Sequence, residues 1–391
     1  MSEITPPAKN ATADSTGQAA DHVAGGETRS ETTVAPNAAA AHIASEGVGG
    51  FVKRVLKIQS FQILLVLLVI YLIFTALAPS TFPGWVNMRQ VIQNVSILAV
   101  LGIGMTYVII TSGIDLSVGS VLVFSGVIAA KAMVTIGGDG WGTALVGIVL
   151  SVVCGIVWGL LNGVLIAKAK VPPLIVTLGT LGAALGLAQV ITTGIDVRDV
   201  PTVLSDTIGY GNLPGSTIPI ISFIALVFVV IFGVILHKTK FGLYTFAVGS
   251  NEESARRVGV KVDRHLISIY AISGGLAGVG GILSLAQYST TAIAGQSNTN
   301  LNVIAAVVIG GTSLFGGLGT IFGTVVGLFI PAILQNGFVI VGVQPFWQQV
   351  AVGAVLVVAV FIDQRRRASA SRAGGGKGSL RQLLKRSRSS A

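Results

Sequence analysis

The chain has 391 residues, of which 52% are hydrophobic and only 10% are charged, and its mean hydropathy is +0.82. Soluble domains carry about 25% charged residues, so a chain of this length and composition cannot cover itself with polar surface in water. The single cysteine excludes a disulfide framework within the chain. The net charge of +10 does not indicate nucleic-acid binding, because the basic residues form short clusters between or beyond apolar segments, as expected for membrane topology.

The first 50 residues are rich in Ala, Thr, Ser, Gly and Pro and contain no aromatic residue, so they predict a disordered tail on the cytoplasmic side. They do not resemble a secretory signal, because the apolar region begins too late and lacks an early basic segment. At the other end, residues 366–391 are rich in Gly, Ser and Arg. They predict a basic cytoplasmic tail that is disordered or lies on an anionic membrane leaflet.

Residues 51–365 predict an all-α, polytopic transmembrane domain, because apolar segments of about 20 residues recur along it, the length that crosses a bilayer. The ten predicted spans are 61–79, 91–111, 116–135, 143–167, 173–193, 217–236, 265–286, 301–312, 315–340 and 345–363. The eighth is too short for a simple crossing, so we expect it to be broken or tilted. Such breaks are tolerated where they are buried in protein or line a cavity.

The distribution of Lys and Arg predicts the orientation of these spans. With the N-terminus inside, the cytoplasmic side receives the basic C-terminal tail and Lys53, Arg54, Lys57, Lys168, Lys170, Lys238, Lys240, Arg256, Arg257, Lys261 and Arg264. The opposite side receives Arg89, Lys131 and Arg198, beside Asp139, Asp196, Asp199 and Asp206. This asymmetry predicts that both termini are cytoplasmic and that the number of spans is even, with a long cytoplasmic loop at 237–264.

A short pattern recurs in two predicted spans. Gly142-Thr143 and, later, Asn162-Gly163 occur in the fourth, while Gly319-Thr320 and Asn336-Gly337 occur in the ninth. Spans five positions apart run in opposite directions, so the recurrence suggests an inverted repeat, although the two spacings differ by three residues. Glycines at small-xxx-small spacing, such as Gly155 with Gly159, predict close helix contacts.

The loop at 237–264 predicts a helix of about eight residues. Ser250 and Glu253 have the spacing of a capping box, and Gly259 is placed as a helix terminator. Two pairs of opposite charge stand at i,i+4 spacing, Glu252 with Arg256 and Glu253 with Arg257. A helix this short is marginal alone in water, so it should dock against something. These residues alone leave two interpretations, a surface connector on the membrane or a coupling helix inserted into a cytoplasmic motor.

The spans contain few ionisable residues, and Asp115 is the main one. It lies in a Gly113–Gly119 break, where it either caps the start of the third span or contacts a substrate. We predict a substrate pathway formed by Asn94, Asp115, Ser117, Gln189, Gln287 and Asn302, with Ser96, Thr192 and Gln335 as further neutral candidates. Hydrogen bonding between helices is the alternative for each of them. No catalytic motif and no His or Cys cluster for a metal is evident, and Gly374–Gly378 lacks the spacing of a P-loop.

Several segments, taken together and in order, resemble the ribose/xylose/arabinose/galactoside-type permeases of bacterial ABC importers, a branched-chain and monosaccharide type 2 permease family. The resemblance covers about residues 60–365. The segments that carry it are Gly113-Ile114-Asp115-Leu116-Ser117-Val118-Gly119-Ser120, Gly159-Leu160-Leu161-Asn162-Gly163, Pro172–Thr180, Gly249–Gly259 and Ile304–Gly317. Members of that family often carry an acidic residue at the position of Asn302, so a role that depends on charge is not expected there.

The resemblance implies a homodimer of permeases, each of about ten spans, around one pathway in a bacterial plasma membrane. Two cytoplasmic ABC ATPase subunits would bind and hydrolyse ATP, so the chain itself would be no enzyme and hold neither cofactor nor metal. An extracytoplasmic protein would deliver the sugar, a pentose, hexose or related polyol, for transport by alternating access. The ATPase-coupling loop would contain Gly249, Ser250, Asn251, Glu252, Glu253, Ala255, Arg256 and Gly259.

Two other classes of membrane protein would need different sequence features. A secondary carrier driven by an ion gradient would need coupling acids within the spans and no docking helix. An intramembrane enzyme would need a nucleophile or metal constellation, and the sequence shows neither.

Overall fold

The computed structural model describes residues 59–294 and 299–344, together with isolated helical positions between residues 347 and 361. The predicted tails at 1–50 and 366–391 and most of the predicted tenth span lie outside these residues. Within the described part the regular elements are all helices, as predicted, and the only β-type pairing is an isolated bridge between Asn212 and Pro219.

Twelve helices follow one another in this described part of the chain. They are α1 (Gln59–Leu77), α2 (Trp85–Ile110), α3 (Val118–Ile136), α4 (Trp141–Ala167), α5 (Pro173–Thr192), α6 (Thr202–Leu204), α7 (Ile220–Lys238), α8 (Lys240–Ser250), α9 (Glu252–Arg257), α10 (Val262–Tyr288), α11 (Thr299–Ile309) and α12 (Ile321–Ile340). The short α6 runs directly into a π-helical turn at Ser205–Gly209.

Seven of these helices are long and apolar enough to cross a membrane, namely α2, α3, α4, α5, α7, α10 and α12. The apolar stretch Phe61–Leu77 of α1 and the helix α11 are shorter, so the predicted count of ten spans is approximate. Large apolar side chains such as Leu68 and Leu226 are more than half exposed on the outside of the bundle. An apolar surface of this kind is stable in hydrocarbon and unstable in water, which makes the chain a multi-pass membrane protein.

The centre of the bundle is α10, which packs against α2, α3 and α4. Its closest contact is with α4, where glycines from both helices meet. A Cβ added to Gly159 would lie 2.2 Å from the Tyr270 carbonyl oxygen, and one added to Gly278 would lie 2.3 Å from that of Ser151. The predicted close contact at Gly155 and Gly159 is therefore confirmed, and only glycine fits there.

We name the two ends of the bundle after the short helices that lie there, the α9 end and the α6 end. Two helices begin between these ends rather than at one of them. Asp115, just before α3, accepts a hydrogen bond from Ser273, which lies eleven residues, or about 16 Å, into α10. The Asn300 amide in the first turn of α11 donates to the Leu116 carbonyl at 3.1 Å, so the starts of α11 and α3 are in contact. The eighth predicted span corresponds to α11, a single helix of 11 residues, and its break or tilt stays a prediction.

Candidate functional site

The helix α9 is capped and terminated by its own sequence. The Asn251 side-chain oxygen accepts a hydrogen bond from the Ser254 backbone N–H at 2.7 Å. Gly259 adopts a φ of +87°, and beyond it Val260 N–H donates to the Ala255 carbonyl at 3.1 Å, which closes the helix end. The helix has six residues rather than eight.

The predicted capping residue was wrong. Ser250 is the last residue of α8, and the extended residue between the two helices is Asn251, with φ −163° and ψ 105°. Only a residue with non-helical backbone can cap a helix start, so the cap moves one position along the chain. Helix α8 was not predicted, because its aromatic and apolar residues resemble the end of the preceding span.

One side chain of α9, Ala255, is buried against the rest of the bundle. Ala255 is 3% exposed and packs against Ala167, Val248, Val262 and Leu266. The rest of the helix is exposed. The predicted i,i+4 pair Glu253–Arg257 is formed with both side chains about three-quarters exposed, and Val258 just beyond is 79% exposed.

Asp263 ties α9 to two neighbouring elements. Its carboxylate accepts hydrogen bonds from Arg256 of α9 and, at 2.9 Å, from Lys170 in the turn between α4 and α5. Arg256 also donates to Glu252 at 2.8 Å, which forms the second predicted i,i+4 pair. The hydrogen bonds to Asp263 and Glu252 raise the pKa of the Arg256 guanidinium above its already high value, so this group stays charged at physiological pH.

Three chain segments meet where α8 ends, and we call this contact the junction: Ile110, Ser112, Gly249, Phe315 and Gly317. The Gly317 N–H donates to the Ile110 carbonyl at 2.8 Å. The Ser112 hydroxyl lies 2.9 Å from the Phe315 carbonyl and 3.2 Å from that of Gly249. A Cβ added to Gly249 would lie 1.6 Å from the Ile110 carbonyl oxygen, so the segments are in backbone contact. The end of α8 therefore bears directly on the segment that leads into α3 and on the segment that joins α11 to α12.

Asp115 is 2% exposed and is bound by neutral groups. One carboxylate oxygen accepts from the Ser117 N–H at 2.9 Å and from the Ser117 hydroxyl at 2.6 Å, and the other accepts from Ser273 at 3.1 Å. The Asn162 amide donates to the Ser117 hydroxyl at 2.9 Å, which extends the network to α4. The carboxylate thus fixes the turn before α3, whose N-cap position is occupied by Ser117, and both the capping role and the substrate role of Asp115 stay predictions.

A polar cavity of about 320 Å³ lies among α2, α10, α11 and α12, and we call it the amide pocket. Its polar lining consists of Asn94, Tyr288, Thr299, Asn302, Gln335 and Asn336. The Asn94 side-chain oxygen accepts from the Gln287 amide at 2.8 Å and from the Tyr288 hydroxyl at 3.0 Å. Asn336 and Asn87 bind each other reciprocally, at 2.7 and 2.9 Å.

Comparisons with known proteins identify the family. The sequence profile described as "Branched-chain amino acid transport system / permease component" matches residues 87–360. The chain is 39% identical over 304 residues to "Ribose import permease protein RbsC" of Bacillus subtilis (strain 168), which covers 77% of this chain and 92% of that protein. The chain belongs to this permease family. The resemblance predicted from the sequence is confirmed, and the chain is a permease component of a transport system rather than an enzyme.

Other relatives of the permease carry names of different sugars. It is 36% identical to "Ribose import permease protein RbsC" of Escherichia coli (strain K12), over 78% of this chain and 93% of that protein. It is 32% identical to "Galactose/methyl galactoside import permease protein MglC" of the same strain, over 79% of this chain and 94% of that protein. No solved structure gives a significant match.

The six residues predicted to line the permease's substrate pathway fall in three places. Asn94 and Asn302 line the amide pocket, and Gln287 binds Asn94 beside it. Asp115 and Ser117 form the buried network at the start of α3. Gln189 lies on an exposed face of α5, in neither cluster. The pathway role of each residue stays a prediction.

The junction of the permease was not predicted. It joins residues more than 60 positions apart, and the only sequence signal is the density of glycines around residues 310–319. Glycines in such numbers predict close backbone contacts, but they do not indicate which segment of the chain is contacted.

Proposed function

We propose that the permease is the membrane subunit of an ATP-driven importer that moves a monosaccharide, either a pentose, a hexose or a related polyol, by alternating access. It works as a homodimer in a bacterial plasma membrane. A separate cytoplasmic subunit binds and hydrolyses ATP, and an extracytoplasmic protein delivers the sugar. The observation that carries the proposal is the position of α9, an exposed capped helix whose neighbour α8 ends in the junction.

The junction supplies a route from α9 to the interior of the membrane. Because Gly249 contacts the Ile110 carbonyl without space for even a methyl group, a displacement of α8 cannot be absorbed there by side chains. It passes to the segments 111–117 and 310–320. These segments connect to α3 and α11, whose starts are in contact within the bundle. Helices that begin inside the layer mark the substrate region in many transporters.

The charge of the two ends supports a cytoplasmic location for the α9 end and for both termini. Basic residues gather at the α9 end, among them Lys168, Lys170, Lys238, Lys240, Lys261 and Arg264. The α6 end carries Asp139, Asp196, Asp199 and Asp206 beside Arg89 and Arg198. Positive residues stay preferentially in the cytoplasm.

The polar groups inside the bundle support a neutral cargo. Among the described residues, the buried polar side chains are hydroxyls and amides, apart from His265 near the start of α10 and Asp115, which is held by hydroxyls and a backbone N–H. Hydroxyl-rich solutes are matched by such groups, because amides both donate and accept hydrogen bonds.

The decisive experiment reconstitutes the permease in vesicles with a candidate ATPase subunit and a candidate sugar-binding subunit from the same bacterium. Uptake is measured with radiolabelled D-ribose, D-xylose, D-galactose and D-fructose. We expect uptake of at least one sugar that requires ATP and all three components. Equal uptake with an ATPase that cannot hydrolyse ATP, or with no ATPase, would overturn the proposal, and cross-linking of the purified permease tests the homodimer.

A further inference from the structure

The amide pocket is a cavity in which part of the polar lining has no intramolecular partner. Among the described residues, the side-chain amides of Asn302 and Gln335 make no hydrogen bond, whereas Asn336 beside them is engaged with Asn87. Both amides are only partly exposed. An amide at membrane depth without a partner costs several kcal/mol, so these groups require water or a ligand.

The depth of the pocket follows from the helices that line it. Asn302 is the fourth residue of α11, whose first turn contacts Leu116 inside the bundle. Asn94 lies nine residues, or about 13 Å, from the first residue of α2. Tyr288 ends α10 at the α6 end. The pocket therefore extends from the α6 end into the membrane layer.

The chemistry of the lining selects a class of ligand. The polar lining residues are amides and hydroxyls, and no acidic or basic side chain is among the described residues that line the pocket. Ile97, Leu98 and Ala332 supply apolar walls. A sugar presents the same combination, hydroxyls that both donate and accept and a C–H face that packs on apolar surface. The volume of about 320 Å³ is at the small end of ligand sites in proteins.

We propose that the amide pocket of each single permease chain binds a neutral monosaccharide, with Asn302 and Gln335 as the side chains that hydrogen-bond its hydroxyls. This inference rests on the proposed function in its choice of ligand, and it places a sugar site within one copy of the chain. Gln287 and Tyr288 donate hydrogen bonds to the Asn94 side-chain oxygen and so orient Asn94. The Asn94 N–H groups are then available to the sugar.

The same geometry connects the pocket to the junction. Asn302 lies on α11 and Gln335 on α12, and the segment joining these two helices contains Phe315 and Gly317 of the junction. A shift at the α9 end therefore reaches the two helices that carry the binding amides and, through Ile110, the end of α2, which carries Asn94. The affinity of the pocket for sugar should change with the state of α9.

The test measures sugar binding to the purified permease in lipid nanodiscs by saturation-transfer NMR. The probes are D-ribose, D-xylose, D-galactose and D-fructose, with gluconate as an anionic polyol. The variants are Asn302→Leu and Gln335→Met, which keep side-chain size and remove hydrogen bonding. The control is Asn212→Leu, an amide in the loop before α7 that is outside the pocket lining.

We expect at least one neutral sugar to bind, gluconate to bind more weakly, and each pocket variant to weaken sugar binding about fivefold, the effect of one neutral hydrogen bond. Thermal stability should hold or rise in both variants, because neither amide has a protein partner to lose. The proposal is overturned if no sugar binds the wild type, or if both variants bind as it does. A loss of stability with unchanged binding would show a structural role and would also overturn it.

The vesicle assay separates this inference from the proposed function. If the wild type shows ATP-dependent uptake and both pocket variants take up sugar equally well, the sugar site in the amide pocket is disproved and the importer function stands. If sugar binding depends on Asn302 and Gln335 but no ATP-dependent uptake occurs, the sugar site stands and the importer function is disproved.

Discussion

The contact between α4 and α10 and the attachment of α9 represent two opposite ways of holding a helix. The first is formed by glycines in backbone contact, where added side-chain atoms have no space. The second consists of one buried alanine, a few exposed ion pairs and the junction at the end of α8. The difference indicates which part of the molecule is rigid and which part is free to engage a partner. Variants at the two sites should therefore separate stability from transport.

The largest effect on stability is expected from Gly159→Ala in the contact between α4 and α10. The new Cβ would lie 2.2 Å from the Tyr270 carbonyl oxygen, so the two helices must separate. Overpacking of this kind destabilises by about 1–3 kcal/mol. The thermal unfolding of the purified protein measures it. Gly233→Ala on α7, where an added Cβ meets nothing within 4 Å, is the matched control and should leave the unfolding temperature unchanged.

The junction should respond in transport as well as in stability, because the clash at Gly249 is also with backbone. In Gly249→Ala the added Cβ would collide with the Ile110 carbonyl, so α8 must shift away from the segments that lead to α3 and α11. We expect ATP-dependent uptake to fall at least about tenfold, a change of about 1.4 kcal/mol in coupling. Gly186→Ala on α5, where an added Cβ meets nothing within 4 Å, is the control and should retain uptake. Normal uptake by Gly249→Ala would show that the junction does not transmit motion from α8 during transport.

The cap of α9 offers a comparison of two adjacent residues. Asn251→Ala removes the side chain that accepts from the Ser254 N–H and should weaken the helix by about 1 kcal/mol. Ser250→Ala leaves that hydrogen bond intact and should have little effect. Hydrogen exchange of the α9 amides distinguishes the two variants. Faster exchange in Ser250→Ala than in Asn251→Ala would contradict the observed cap.

The smallest effect on stability, but a large one on coupling, is expected at the exposed face of α9. Exchanging the two charges in Glu253→Arg/Arg257→Glu keeps an i,i+4 pair and changes the free energy of unfolding by about 0.5 kcal/mol or less. The same exchange reverses the charge pattern that a partner meets. We expect loss of permease-dependent stimulation of the ATPase while the unfolding temperature is retained. Unaltered stimulation would show that this face does not contact the motor.

The sequence predicted elements that depend on local chemistry. The helix class, the position of α9, its two charge pairs, the terminator Gly259 and the close contact at Gly159 all follow from spacing within a few residues. The cap was misplaced by one residue because Ser250 and Asn251 are both good capping residues, and only the backbone conformation decides between them. Local rules therefore place an element to within about one or two residues.

The parts that sequence reasoning missed depend on contacts between distant segments. The junction joins Ser112, Gly249 and Phe315, and nothing in their neighbouring residues indicates that they meet. Asn94 and Asn302 were named as pathway candidates from their polarity, but polarity could not show that they share a cavity with Gln335 while Gln189 lies elsewhere. An inverted repeat between α4 and α12 stays a prediction.

The reciprocal amide pair of Asn87 and Asn336 has a consequence for how the pocket opens towards the α6 end. Each of these side chains is donor and acceptor at once, so water replaces either partner with little change in the number of hydrogen bonds. Separating α2 from α12 there would exchange protein contacts for hydrated ones, and rejoining them would need no rearrangement of covalent or charged groups. The open and closed states of this amide pair therefore differ little in free energy. A small conformational change elsewhere in the molecule is enough to shift the pair from one state to the other.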